Sequence, residues 1–491
     1  MANPARGTGK GGTAPGGSDV RGPETRGPDA RGGTAPGGSD VRGPETRGPG
    51  ARGPRTRGVE AASPARACAY RVVRRVFEQG AYADRALHAE AASLPTNERS
   101  FAMALSYSVV QRRATLDHVI ETLAGRPTGR LQPPVLAVLR LGAAQLLLLD
   151  GVAEHAAVDE SVKLAKADAP RAAGLVNAVL RRTIRDGREL LAAMDDTTPE
   201  RAALLRSVPV WLARLWFDEL GADQARALLA AINEPAESAL RVNSLVATVE
   251  QVAQRLPVGA SPAPGFPDAL ILDGPFDAHG SELWAQGMIM PQSRGSMTPA
   301  RVLAPAPGER VLDLCSAPGA KATQLAALMG GEGTVVCVER NPQRADGLRR
   351  TLARMRARSA IVRVADAAEP APDGPFDRAL VDPPCSGLGT LQSRPDLRWR
   401  TSPERIAETA ALQERVLAAA AAAVRPGGVL VYSVCTISAA ESEAIVDRFC
   451  ASNEDFMVEP AYDSDRESRY LQLLPHSHRT DGFFVARLRR R

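Results

Sequence analysis

From residue 64 to about 195, apolar residues recur at helical spacing. Leu136, Leu139, Ala143 and Leu146 fall at i, i+3, i+7 and i+10, and Val176, Val179 and Leu180 at i, i+3 and i+4. Breaks fall at Pro95–Thr96, Gly125–Pro127, Pro133–Pro134, Gly151 and Pro170, and strand-like alternation is absent. The pattern predicts an all-α helical bundle over 64–195, about 130 residues and within the usual domain range. Segment 196–300 is mixed: 211–232 reads as helix, 239–243 as the start of a strand, and 259–267 as a Pro-rich loop. After residue 300, short apolar runs at 310–315, 334–338, 360–364, 378–381, 429–433 and 483–488 alternate with helical stretches at 320–329, 342–356, 404–424 and 439–450. Alternating strands and helices predict an α/β, Rossmann-like domain over 301–491, doubly wound on a mostly parallel sheet. Its ligand should lie at the carboxyl ends of the strands.

Residues 1–60 break with this texture. Residues 11–28 recur at 32–49 with a period of 21, rich in Gly, Pro and Arg and without an aromatic residue. Such a segment buries too little apolar surface to offset chain entropy, and a disordered tail is expected. Nine arginines and Lys10 face five acids in 1–58, so the formal charge of +5 resides there. The remainder is neutral, and any nucleic-acid surface must be a local patch.

Apolar residues make up 44% of the chain but aromatic ones only 4%, so Ala, Val and Leu must fill the cores. No apolar run approaches the roughly 20 residues that span a bilayer, and the start lacks the apolar stretch of a secretory signal. The six cysteines lack metal-ligand spacing. A reduced, cytoplasmic, metal-free protein without a membrane partner is expected.

Strand VLDLC (311–315) runs into a tight turn that opens a helix, SAPGAKATQL (316–325). Cys315, Ser316, Ala317, Pro318, Gly319, Ala320 and Lys321 therefore form a candidate cofactor loop. Glu339 closes the next strand 20 residues after Gly319, where a carboxylate takes ribose hydroxyls. Asp366 closes the third strand, suited to an adenine amino group. A ligand with ribose, adenine and a carboxylate tail describes S-adenosylmethionine, whereas no GxxxxGKS motif supports phosphate cradling.

Two cysteines follow strand ends: Cys385 in VDPPCSG and Cys435 in YSVCT. Cys68, Cys337 and Cys450 are read as buried small hydrophobes, and Cys315 as shaping the cofactor turn. Cytosine C5 is a poor nucleophile until a thiolate adds to C6, after which C5 can take a sulfonium methyl and lose its proton. The nucleophile needs a helix N-terminus or a cation nearby, and the candidate Cys435 precedes the helix at 439–450, which offers such a terminus. Asp382 is suited to the N3/N4 edge of the base. The ring must be unpaired for its face to be attacked.

At these motifs residues 64–491 resemble the Sun/Fmu (RsmB-type) family of 16S rRNA cytosine-C5 methyltransferases, within the wider NOP2/Sun group. The resemblance implies a cofactor site for S-adenosylmethionine that includes VLDLCSAPGAK, Glu339, Asp366 and Asp382. It implies attack by Cys435, product release by Cys385, and active-site help from Lys321. It sets the chain apart from DNA cytosine methyltransferases, whose nucleophile is of the PC type. Residues 139–166 and 174–182 resemble a NusB-like RNA-binding domain, with Arg181, Arg182 and Arg185 available for phosphates. ALRVNSL (239–245) resembles the linker to the catalytic domain, which makes 196–300 a linker and RNA-binding subdomain. APGAKA stands where the family more often has APGGKT. MPQSRGSM (290–297) lacks the acid of the VQDxxS-like family sequence, so no site residue is taken from it. The implied partner is RNA, 16S rRNA foremost. The alternatives are a tRNA cytosine-C5 methyltransferase and a non-catalytic RNA-binding assembly or antitermination factor. Oligomeric state is left open.

Overall fold

A computed structural model of the protein describes residues 61–462 and 469–491. The 21-residue repeat lies outside them. Gly58–Arg491 forms one compact unit, which opens with helices α1 (Pro64–Glu78), α2 (Ala83–Glu90), α3 (Thr96–Gln111), α4 (Arg113–Ala124), α5 (Pro133–Leu147), α6 (Glu154–Asp168) and α7 (Ala173–Ala192). Pro133 and Pro134 sit in the first turn of α5, where the missing N–H groups have no helical partner to lose. Helix α5 is buried on almost every face, as befits the most uniformly apolar helix of the bundle. Its one buried cation, Arg140, makes a two-pronged ion pair with Asp117 at 2.7 Å. Gly142 lets α7 approach, since a Cβ there would lie 2.5 Å from Leu180 Cδ1.

The stretch 211–232 is two helices and not one. Gly221, at φ 78°, separates α9 (Val210–Leu220) from α10 (Ala222–Ala231), and α8 (Pro199–Arg206) precedes them. Strand β1 (Ala239–Val242) then pairs with β3 (Phe266–Leu272) and β4 (Ile289–Pro291), while β2 (Ala260–Ala263) pairs with β3. All pairs are antiparallel, in the order β2-β3-β1-β4. The expected loop at 259–267 is therefore a hairpin turning at Gly265, at φ 78°. Its Pro262 lies in β2, an edge strand, where proline is tolerated. Short helices α11 (Val249–Ala253) and α12 (Glu282–Ala285) flank this sheet, and α13 (Arg294–Leu303) leads out of it.

The second sheet contains β5 (Arg310–Leu314), β6 (Thr334–Val338), β7 (Ala360–Arg363), β8 (Phe376–Val381), β9 (Val424–Val434), β10 (Phe456–Glu459), β11 (Leu471–Leu473) and β12 (Phe483–Arg490). The order is β10-β12-β9-β8-β5-β6-β7, with β11 also on β12. Strands β5 to β9 are mutually parallel, and β12 runs antiparallel to β9. One face packs Leu312, Leu314, Val336 and Val338 beneath α16 (Pro403–Ala423) and α17 (Glu443–Ser452). The other packs Val311, Val335 and Cys337 beneath α13, α14 (Ala320–Leu328) and α15 (Pro342–Arg354). Both faces are covered, which is why the central strands read as continuous apolar runs. The helix expected at 439–450 is broken: 439–441 is a single tight turn, and α17 begins only at Glu443.

The bundle docks directly on the segment that follows Cys385. Arg398 is fully buried and donates to Gln111 O, Ser207 O, Ile232 O, Leu391 O, Pro395 O and Asn233 Oδ1. Trp399 Nε1 donates to Val110 O. Helix α9 reaches the Cys435 side in the same way, through Trp216 Nε1 to Ile437 O at 2.9 Å.

Candidate active site

Parallel strands end on one edge of the sheet, so the loops after β5, β6, β8 and β9 converge there. The antiparallel strand β12 begins on the same edge, since Phe484 pairs with Val434 at the end of β9. Five strand ends therefore meet on one edge of the sheet.

After β5 the chain turns sharply. Cys315 takes a left-handed conformation at φ 61°, Ser316 N–H donates to Val338 O, and Gly319 caps α14 at φ 105°. Only glycine suits that cap: besides the backbone, a Cβ would lie 2.7 Å from Leu348 Cδ1. Ala320 is the first residue of α14 and needs no such freedom. Burial, with the charges of Asp382, Glu339 and Asp313, pushes the Cys315 thiol up to about 12. It packs against the core and is poorly suited to react. Glu339 is buried, accepts from Asn341 N at 2.9 Å and lies 3.4 Å from Arg344. Asp366 does not close a strand: β7 ends at Arg363, and the half-exposed Asp366 pairs loosely with Arg340 at 3.6 Å. The loops thus offer a helix N-terminus and the Glu339 carboxylate at the end of β6, with Asp366 three residues beyond the end of β7. Their chemistry suits a nucleoside bearing a charged amino-acid tail.

The loops after β8 and β9 bring the two cysteines together, with Cys385 Sγ and Cys435 Sγ 3.4 Å apart, both free and partly exposed. Beside them Lys321 Nζ donates to Asp382 Oδ2 at 2.7 Å and lies over the Phe483 ring at 5.2 Å. Ser433 Oγ holds the other Asp382 oxygen at 3.3 Å. A hydrogen bond from Cys385 lowers the pKa of Cys435 and outweighs its burial, with Lys321 and Arg394 adding to the effect. The same bond, burial, and the charges of Cys435 and Glu441 hold Cys385 well above the ordinary thiol range. Both shifts favour ionisation at Cys435 over Cys385, which would make Cys385 the S–H donor of the pair. The source of this asymmetry is not the helix N-terminus expected from the sequence, because α17 starts eight residues beyond Cys435. The partner thiol and two cations perform that task. Burial works against the charge on Lys321, but Asp382 and Cys435 hold its pKa above the usual value.

Comparison with known proteins fits this arrangement. Residues 300–489 match the family described as 16S rRNA methyltransferase RsmB/F, 63–185 match the NusB family, and 208–279 match a ferredoxin-like domain of RsmF/B-like methyltransferases. A relative from Synechocystis, named probable ribosomal RNA small subunit methyltransferase B, is 36% identical over 87% of this chain and 99% of its own. The chain belongs to the RsmB/F family of 16S rRNA methyltransferases. Another member, ribosomal RNA small subunit methyltransferase B of Thermus thermophilus, is 38% identical over 81% of this chain and 90% of its own. The crystal structure of PH0851 superposes with a TM-score of 0.74 at 25% identity, covering 87% of this chain and 99% of that one.

Within this RsmB/F member, several site residues carried no signal in the sequence reading. Asp313 lies buried in β5 and accepts from Ser316 Oγ at 2.6 Å, and burial pushes its carboxyl up to about 7. A lone acid inside the apolar run VLDLC was the available clue. Asp481 accepts from Ser293 Oγ at 2.6 Å, so the stretch 290–297, from which no site residue was taken, meets an acid from the entry to β12. Arg394 and Glu441 belong to the cysteine loops. Among the other cysteines, Cys68 and Cys337 are buried, but Cys450 is only partly so. In the NusB-like bundle, Arg182 donates to Leu123 O at 2.8 Å and so closes the end of α4. Arg185 pairs with its neighbour Asp186 and Arg181 with Asn177. Of the three arginines expected to meet phosphates, Arg185 is held by a carboxylate, while Arg181 and Arg182 bond to neutral acceptors. Among the described residues no group could hold a metal ion, and no helix is long and apolar enough to cross a membrane.

Proposed function

We propose that the protein transfers a methyl group from S-adenosylmethionine to C5 of a cytosine in RNA, 16S rRNA foremost, through a covalent bond between Cys435 and C6. The observation that carries this reading is the pair of thiols 3.4 Å apart beside the Lys321–Asp382 ion pair, and the surroundings shift the two thiols in opposite directions. Residues 315–321, Glu339, Asp366 and Asp382 would hold S-adenosylmethionine, which when bound supplies the methyl group.

The Cys435 thiolate attacks C6, so that the electron pair needed at C5 comes from the ring. Asp382, fixed by Lys321 and Ser433, would bond the N3/N4 edge of the base. Once Cys435 is bonded to C6 its negative charge is gone, and with it a main cause of the high Cys385 pKa. Cys385 can then give its proton to solvent and, as thiolate, take the C5 proton; the C5–H electron pair re-forms the C5=C6 bond and the Cys435–C6 bond breaks to return the Cys435 thiolate. The two thiols thus act in sequence, and the consumption of one prepares the other.

The test uses Cys385→Ala protein, unmodified 16S rRNA and labelled S-adenosylmethionine on a denaturing gel. A nuclease-sensitive protein–RNA adduct should accumulate and disappear when Cys435→Ala is added. Methyl transfer to tRNA alone would sink the rRNA assignment and leave the mechanism. Tight RNA binding without transfer by wild type would favour a non-catalytic RNA-binding factor.

A further inference from the structure

Two identical side chains 3.4 Å apart need something to tell them apart, and the fold carries an asymmetric element behind them. Glu441 is fully buried in the tight turn between Cys435 and α17. Its Oε1 accepts from Ser386 N at 2.9 Å, Thr409 Oγ1 at 2.7 Å and Gln413 Nε2 at 3.1 Å. Its Oε2 accepts from Ser386 Oγ and, at 3.2 Å, from Thr436 Oγ1. Ser386 follows Cys385, Thr436 follows Cys435, and Thr409 and Gln413 lie on α16. Gln413 also donates to Pro384 O, one residue before Cys385. Tyr432 OH donates to Glu441 O at 2.7 Å and ties the turn back to β9.

Five donors converge on two oxygens, a demand that only an acceptor-only group meets. No cation is recorded in an ion pair with this carboxylate among the described residues. A buried carboxylate held by neutral donors is expensive compared with an apolar filling. Its location gives that charge an effect. The carboxylate is bonded on both oxygens to the residue next to Cys385, whereas the cation Lys321 acts on Cys435.

We propose that Glu441 is a positioning residue that assigns the two cysteines their separate tasks. Its carboxylate clamps the loops of Cys385 and Cys435 to α16 at one mutual distance. It also sets a negative charge behind Cys385, opposite the Lys321 cation beside Cys435. Cys385 is thereby kept as the S–H partner and Cys435 as the thiolate. The influence of Glu441 on the Cys385 thiol agrees in sign with this arrangement. The assignment rests on the reading of Cys435 as nucleophile, but its deciding readout, thiol alkylation, requires no RNA.

The full chain is alkylated with iodoacetamide across a pH series, and the labelling of each thiol is read by peptide mass mapping. In wild type Cys435 should label at lower pH than Cys385. In Glu441→Gln protein the two profiles should converge, with selectivity reduced about tenfold, equivalent to one unit of relative pKa. Turnover should fall at least as much, with KM for RNA little changed. Melting temperature reports whether the variant is folded. If it is not, Ser386→Ala, which removes one donor and leaves the carboxylate, should shift selectivity in the same direction by a smaller amount. Selectivity within twofold of wild type in folded Glu441→Gln protein overturns the proposal, as does unchanged selectivity in Ser386→Ala should Glu441→Gln not fold. So does equal labelling of the two thiols in wild type. Selective Cys435 labelling that depends on Glu441, in a protein that captures no RNA, would leave this assignment standing while the proposed reaction fails.

Discussion

Gly389→Ala should slow methyl transfer by about a hundredfold without unfolding the protein. Gly389 lies in the tight turn after Cys385, donates to Cys435 O at 3.0 Å and accepts from Gly482 N at 2.8 Å. It thereby joins the two cysteine loops to the entry of β12, where Asp481 and Phe483 flank Gly482. An added Cβ would sit 2.0 Å from Gly482 O, 2.7 Å from its carbonyl carbon and 2.9 Å from its Cα. All three atoms are backbone, so no rotamer change relieves the overlap. Restoring ordinary contact requires the loops to part by more than about 1 Å. Overpacking of this kind costs about 1–3 kcal/mol, which a fold stable by about 5–15 kcal/mol survives. A displacement of about 1 Å between reacting groups costs about a hundredfold in rate, near 2.7 kcal/mol of barrier. The assay is single-turnover transfer of labelled methyl to RNA, with methyl-donor affinity and urea unfolding measured in parallel. Affinity should stay within about threefold, because residues 315–321, Glu339 and Asp366 follow other strands and Asp382, on the β8 side, is held by Lys321 and Ser433. Gly129→Ala, where a Cβ meets nothing within 4 Å, is the control. A Gly389→Ala enzyme that loses stability but keeps its rate within about threefold would refute the coupling of loop spacing to chemistry.

Two further outcomes are expected. Burial holds the Asp313 carboxyl at about 7 in the fold, against a reference value of 3.8. Between those values the folded state binds a proton that the unfolded state lacks, so this site favours folding below pH ~4, loses that contribution as pH rises to ~7, and changes little above. Asp313→Asn should remove the slope, gaining on the order of 4 kcal/mol relative to wild type between pH 4 and pH 8, as read by urea unfolding; parallel pH profiles would show that the carboxyl ionises freely. Arg398→Ala should cost about 3–5 kcal/mol, because it leaves buried carbonyls from four segments without a donor. Limited proteolysis should then cut between bundle and catalytic domain, and a loss under about 1 kcal/mol would mean that the docking does not depend on Arg398.

The central strands of the catalytic sheet were legible because they are buried on both faces, whereas β10 and β11, only partly buried, were missed. Residues 311–314, 335–338 and 379–381 read as short apolar runs that no amphipathic helix would produce. Helix α5 was legible for the opposite reason, since its apolar positions repeat at helical spacing through the centre of the bundle. The errors fell where composition and geometry disagree. Proline in the hairpin β2–β3 suggested a loop, because sequence does not say that the strand lies at an edge. Gly221 inside an apolar periodic stretch was passed over, although its positive φ splits the helix. The turn at Glu441 is polar and buried, so it looked like the start of a helix and is instead a knot of hydrogen bonds.

The site divides along the same physical line. A strand's carboxyl end is a local property, and Cys385, Cys435, Asp382 and Glu339 could be placed there from their motifs alone. What sets their reactivity is not local. Cys385 and Cys435 lie 50 residues apart in the chain, and Gly389, which also bonds to Gly482, joins their loops through Cys435 O. The depressed pKa of Cys435 comes first from the hydrogen bond of Cys385, a contact between distant segments, and not from a helix N-terminus, the nearest local device. The same argument ranks the residues for experiment. Substituting Cys385 or Cys435 deletes a chemical group and reports on the reaction, whereas substituting Glu441 or Gly389 keeps both thiols and changes only their relation. If the two thiols work in sequence, the second pair of substitutions should impair turnover while both sulfurs remain present and accessible.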